Sequence, residues 1–201
     1  FRFKLLVLFS YSELIFIIFH TRMLQKLNTK LILRNNTGNW STEVIENRIH
    51  PRYTTFRTIH YPDYDLALMK VNDLIPADIF TTSEIQLPTI TPVTEVTCFS
   101  PHDDSEYKIL ENTVCNSTQH FNGLVTGNVL CASGPGPNSP QCSRSFAPLL
   151  CLTGKQEWYL SGFLSYQRGC TEKPQFRSYL SHPALFSNVF SMSTFISQTI
   201  G

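Results

Sequence analysis

Residues 158–170 read WYLSGFLSYQRGC. Aromatic and aliphatic side chains crowd its first half, and no proline interrupts it. With Glu157 before it, the Glu157–Leu164 run has the length of a buried strand rather than a helix. Similar short apolar or β-branched runs lie at Lys30–Leu33, Val44–Ile49, Leu66–Val71, Val93–Phe99 and Leu185–Val189. Turn-rich segments separate them: NNTGN at 35–39, HPRY at 50–53, YPDYD at 61–65 and GPGPNSP at 134–140. Short strands punctuated this way predict an all-β sandwich or barrel rather than βαβ units. Only Phe190–Ile200 reads as a helix, with Phe195, Ile196 and Ile200 as its apolar stripe. Its serines and threonines lower its helix propensity.

The 201 residues suit one domain, and a 42% hydrophobic content fills a sizeable interior. Sixteen Lys+Arg against fifteen Asp+Glu give a net charge of +1 without a block of one sign. That excludes nucleic-acid binding through a basic surface, and general disorder as well. The opening FRFKLLVLFS carries a short apolar run at Leu5–Phe9, followed by another at Leu14–Phe19. Both fall short of the roughly 18 residues of a membrane span, and neither has the form of a signal peptide. They are expected to be buried strands of the fold. The start at Phe1 rather than Met reads as a mature chain or a fragment.

Six cysteines occur, at 98, 115, 131, 142, 151 and 170. Their even number points to an oxidising compartment. There is no CxxC pair, so zinc-knuckle and thioredoxin chemistry are not expected. Six cysteines allow fifteen pairings, and spacing does not choose among them. Three sequons begin at Asn35, Asn39 and Asn116. With the cysteines they support a secreted, extracellular chain carrying glycans at these candidates.

Taken in order, several segments resemble the trypsin-like (chymotrypsin-fold, peptidase S1) serine proteases from about residue 5 to the C-terminus. LIFIIFH at 14–20 is similar to the family's strand ending in its catalytic histidine, and YDLALMKV at 64–71 to the segment around its aspartate. VLCAS at 129–133 resembles the strand leading towards the specificity pocket, and CSRSFAPLLC at 142–151 stands where the family has CxGDSGGPLxC. WYLSGFLSYQRGC resembles the pocket wall, and PALFSNV at 183–189 the strand before the terminal helix that ends STFISQ. The resemblance implies one domain over 1–201, a double six-stranded β-barrel with its first strand region missing and a short C-terminal helix. The truncated N-terminal barrel would cover 1–90, and the C-terminal barrel with the helix 91–201. It also implies the pairings Cys98–Cys151, Cys115–Cys131 and Cys142–Cys170. A fourth family bridge is lost, its partners falling at Leu5 and Thr21.

The resemblance places a general base on His20, its orienting carboxylate on Asp65 and the nucleophile on Ser145. The oxyanion donors would be the backbone N–H groups of Ser143 and Ser145. The base of the pocket falls near Pro140 and Gln141, and its wall on Ser165, Tyr166 and Gln167. A plainer reading stands beside each catalytic role. His20 is then a core-edge histidine, Asp65 a buried carboxylate held by backbone donors, and Ser145 a loop hydroxyl. The surroundings depart from the family. Arg144 replaces the aspartate that pairs with the new N-terminal amine, and a cation there repels an ammonium. Phe146 crowds a turn where glycine leaves room. Gln167 would project into the pocket entrance where the family has glycine.

Two lengths also differ. Only 17 positions separate Cys98 from Cys115, a shortening expected to remove a hairpin of the second barrel or much of its autolysis loop. TEKPQFRSYLSHP at 171–183 is longer than usual and holds Phe176, Arg177, Tyr179 and Leu180. It reads as a packed loop covering the pocket, or as an exposed aromatic–Arg cluster for protein binding. The expectation is a secreted, catalytically impaired serine protease homologue that acts by protein binding. The alternative is an active serine-type endopeptidase using a His-Asp-Ser triad. Two blander readings are the product of a decaying gene and a structural secreted domain. Expected partners are proteins or peptides, with no nucleic acid and no membrane span. No metal or cofactor is expected, and the oligomeric state is open.

Overall fold

A computed structural model describes residues 8–11, 14–19, 30–34, 39–55, 61–72, 87–90, 94, 96–100, 105–133, 147–152, 158–167 and 183–200. In the N-terminal half, β1 (Leu8–Tyr11), β2 (Leu14–Phe19), β3 (Lys30–Arg34) and β4 (Asn39–Ile49) come first. They are followed by β5 (Thr54–Thr55), β6 (Pro62–Asp63) and β7 (Ala67–Val71). Five of these strands form one sheet in the order β1-β2-β7-β4-β3, while β5 and β6 pair separately. The Leu14–Phe19 run is thus a strand, as is the end of the first run from Leu8, while residues 5–7 lie outside the described residues. The second places Phe19 opposite Ala67 and Ile15 opposite Val71.

The C-terminal half closes completely. It contains β8 (Thr97–Ser100), β9 (Ser105–Leu110), a helical turn α1 (Asn112–Cys115) and β10 (Val129–Ser133). Next come β11 (Pro148–Leu152), β12 (Trp158–Gln167), β13 (Ala184–Asn188), a 3₁₀ turn over Phe190–Met192 and α2 (Ser193–Ile200). The six strands make a barrel in the order β10-β13-β12-β11-β8-β9, with β9 returning to β10. Inward residues alternate with outward ones. In β9, Ser105, Tyr107 and Ile109 are buried while Glu106 and Lys108 are exposed. Tyr107 meets Phe186 edge-to-face at 5.1 Å in the barrel core, among Ile109, Leu130, Leu149 and Leu164. Gly162 lets β12 and β13 approach closely, since a Cβ there would sit 2.5 Å from the Ser187 carbonyl oxygen.

Disulfides join Cys98 to Cys151 and Cys115 to Cys131. The first links directly opposed residues of β8 and β11, with Cα atoms 4.2 Å apart. The second fastens α1 to β10. Cys142 and Cys170 lie outside the described residues. Leu66 and Leu68 of the first half share a core with Leu160, Phe163, Val189 and Ile196 of the second, so α2 seals the junction.

Three expectations change in detail. The Val93–Phe99 run becomes a strand only from Thr97. The terminal helix opens with a 3₁₀ turn, and its α portion starts at Ser193. Of the two readings of the short Cys98–Cys115 interval, loss of a barrel hairpin is overturned, because β8 and β9 are both present and complete the barrel, which leaves the shortened loop. No helix among the described residues is long and apolar enough to cross a membrane.

Candidate active site

The YPDYD segment leans on the second half before the chain returns to the first-half sheet as β7. Tyr64 adopts a left-handed backbone (φ 48°), which a side chain other than glycine takes up at some strain. The Leu66 N–H donates to the Tyr64 carbonyl at 2.8 Å, making a tight turn around Asp65. Asp63 holds the turn from the other side. Its Oδ1 accepts from the Tyr64 N–H at 3.0 Å and from Thr126 Oγ1 at 2.9 Å, and its Oδ2 from Asn128 Nδ2 at 3.4 Å. Tyr61 lies edge-on to Tyr166 and Phe121, at 4.6 and 5.0 Å between ring centres.

This turn delivers Asp65 into the barrel wall, where the residue is only 1% exposed. Ser165 Oγ on β12 donates to its Oδ2 at 2.6 Å. Ser187 Oγ on β13 donates to its backbone carbonyl at 2.7 Å. The plainer reading of Asp65 anticipated backbone donors; the carboxylate also takes the hydroxyl of a residue assigned to the pocket wall. A buried carboxylate held in a fixed position is the kind of group that orients an imidazole N–H. Gln167, next along the wall, is 8% exposed, and its buried Oε1 has no hydrogen-bond partner. Tyr166 turns its ring towards Tyr61 and Phe121.

His20, Ser143, Ser145, Pro140 and Gln141 lie outside the described residues, as do Arg144, Phe146 and the 171–182 stretch. The exit of the serine loop is described: Ala147 is buried, and its carbonyl accepts from the Leu164 N–H at 2.8 Å. Among the sequon asparagines, Asn35 is outside the described residues and Asn39 opens β4. Asn116 follows α1, with its side-chain amide bonded to Val125. Among the described residues no group of three or more His, Cys, Asp or Glu side chains forms a metal site.

One neighbour of the site escaped the sequence reading. His50 is buried, stacked on Tyr64 at 4.6 Å and edge-on to Phe195 of α2 at 4.7 Å. Its Nδ1 accepts from the Arg52 N–H at 3.2 Å. Arg52 also lies over the Tyr64 ring, 5.8 Å from its centre. Burial, aided by the Arg52 charge, holds the His50 pKa below its ordinary value against an opposing pull from Asp63. Nothing in the HPRY segment alone announces a partner on α2, since Phe195 is remote in sequence.

No family model matches the chain. Over 95 residues, 47% of the chain, it is 28% identical to transmembrane protease serine 11B of Homo sapiens, covering 21% of that protein. Over 97 residues, 48% of the chain, it is 29% identical to Homo sapiens transmembrane protease serine 5, covering 20% of it. The matched segment thus spans about a fifth of each relative. Kallikrein-related peptidase 10 is similar in structure, with a TM-score of 0.65 and 22% identity over 92% of this chain and 84% of that one. Its complex with Zn2+ gives a TM-score of 0.64 at 21% identity, with the same coverage of both chains. The chain has the trypsin-like fold, and its homologues are trypsin-like serine proteases.

Proposed function

We propose that the chain is a secreted serine protease homologue of impaired activity, presenting loops on a protease scaffold to a protein or peptide partner. The serine-loop sequence carries this reading: Ser143-Arg144-Ser145-Phe146 stands where the family writes Gly-Asp-Ser-Gly. Oxyanion stabilisation needs backbone donors held at a fixed aim, and that aim follows from the loop's backbone shape. A cation in place of the aspartate removes the ion pair that sets this shape in the family. A phenyl ring in place of the following glycine crowds the turn. Losses within such a catalytic unit are not additive, so one intact member rescues little turnover. The two disulfides among the described residues support an oxidising, extracellular setting.

The buried Asp65, bonded by Ser165, favours a second reading, an active endopeptidase. There Ser145 would attack the peptide carbonyl after His20 took its proton, and an acyl-enzyme would be released by water. A serine-directed fluorophosphonate probe on the folded chain separates the two. No labelling is the expected result; labelling that vanishes in Ser145→Ala reveals an activated nucleophile and overturns the impaired reading.

A further inference from the structure

The Asn116 side chain makes two hydrogen bonds to one residue. Its Oδ1 accepts from the Val125 N–H at 2.7 Å, and its Nδ2 donates to the Val125 carbonyl at 2.9 Å. Val125 is 7% exposed, so both groups would be poorly solvated if the pairing were lost. The carboxamide thus takes the place of a neighbouring strand, satisfying a backbone donor and acceptor that have no ladder partner. The loop it closes is tightly built. The Gly123 N–H donates to the Asn116 carbonyl at 3.0 Å, and Asn122 and Gly123 both take positive φ. Asn112 extends the pattern, its Nδ2 donating to the Thr126 carbonyl at 3.2 Å.

Asn116 also begins the Asn116-Ser117-Thr118 sequon, so the same nitrogen is a nominal glycan acceptor. The two uses compete for one hydrogen position. For Oδ1 and Nδ2 to face the same residue, the N–H that donates must lie on the same side of the amide as Oδ1. A sugar joined through a trans secondary amide occupies that side and leaves the remaining hydrogen pointing away. We infer that Asn116 is a structural clasp of the 116–125 loop and an unused sequon, because glycan attachment and loop closure exclude one another. The loop carries Phe121, which packs on Tyr61, and leads to Thr126, which bonds Asp63. Closure therefore supports the turn that presents Asp65. The inference stands whether or not the chain cleaves peptides.

Two substitutions abolish the sequon but only one removes the clasp. The chain is passed through a eukaryotic secretory host as the parent, Thr118→Ala and Asn116→Ala, then mapped for glycopeptides and melted. The expected map shows Asn116 unmodified. Thr118→Ala should keep the parent's glycan mass and Tm. Asn116→Ala should keep the glycan mass but lower Tm by roughly 4–8 °C, two hydrogen bonds at about 2–4 °C each in a chain this size. If Asn116→Ala fails to fold, Asn116→Asp retains the acceptor alone and should melt between the parent and complete loss. A glycan on Asn116 of parent protein with the stability of Thr118→Ala overturns the inference. So does an equal Tm for the two alanine variants.

Discussion

Replacing Ser165 with alanine removes the hydroxyl that donates to Asp65 Oδ2 at 2.6 Å. The carboxylate stays behind in a residue only 1% exposed. A hydrogen bond to a charged group contributes about 1.5–3 kcal/mol, more than the ~1 kcal/mol of a neutral one, because the ion has no water to fall back on. For a domain this size, that corresponds to a fall in Tm of roughly 3–12 °C. Ser187→Ala is the matched control. It removes a hydroxyl of the same size, from a fully buried rather than a half-buried serine, that bonds the neutral carbonyl of the same aspartate at 2.7 Å. Its expected fall is roughly 1–6 °C. Both variants are to be melted at pH 7 by near-ultraviolet circular dichroism, with calorimetry as a second probe. Repeating Ser165→Ala in an Asp65→Ala background completes the cycle, and there its effect should largely disappear. An equal or larger loss from Ser187→Ala would show that the carboxylate's charge does not set the strength of the joint.

Two further outcomes are expected. The His50 pKa is lowered in the folded chain, so the unfolded chain binds more protons once pH drops below about 6.5. This group's contribution is therefore complete above that pH and lost as pH falls through the folded value. His50→Phe keeps an aromatic ring between Tyr64 and Phe195 but does not titrate, and it should flatten the fall in Tm between pH 7 and 5; an unchanged slope assigns the acid sensitivity elsewhere. Gly162→Ala drives a Cβ to 2.5 Å from the Ser187 carbonyl, a backbone atom in a barrel strand that cannot swing aside. The loss should be about 1–3 kcal/mol by urea denaturation, and parent stability would mean that β12 and β13 separate easily.

The barrel was readable where apolar residues run together. WYLSGFLSYQ became β12, and the run at 185–189 became β13 with its bounds moved by one residue. It was hidden in SEYKIL, where Glu106 and Lys108 break the run even though Tyr107 and Ile109 point inward. The apolar stripe placed a helix over 190–200 but did not separate its opening 3₁₀ turn, since both are short local hydrogen-bond patterns. In the site, family likeness singled out Asp65 and Ser165 separately. Their bond spans 100 positions in sequence, which neither periodicity nor turn chemistry encodes. The same holds for Thr126 on Asp63, for Ser187 on the Asp65 carbonyl and for His50 against Phe195. Each needs the two halves already docked. Asn116 was legible as a sequon and illegible as a clasp, because its partner is backbone and backbone leaves no mark on composition.

The turn at 61–65 is held through Phe121, Thr126, Asn128, Ser165, Tyr166 and Ser187, all from the opposite half. An aspartate at 65 therefore serves as a rivet of the architecture as well as a possible servant of chemistry. Evolutionary drift in a lineage that had stopped cutting peptides would still meet resistance at this position. Retention of an acid there does not by itself establish turnover, and inherited catalytic letters in such chains carry most weight where the scaffold has no use for them.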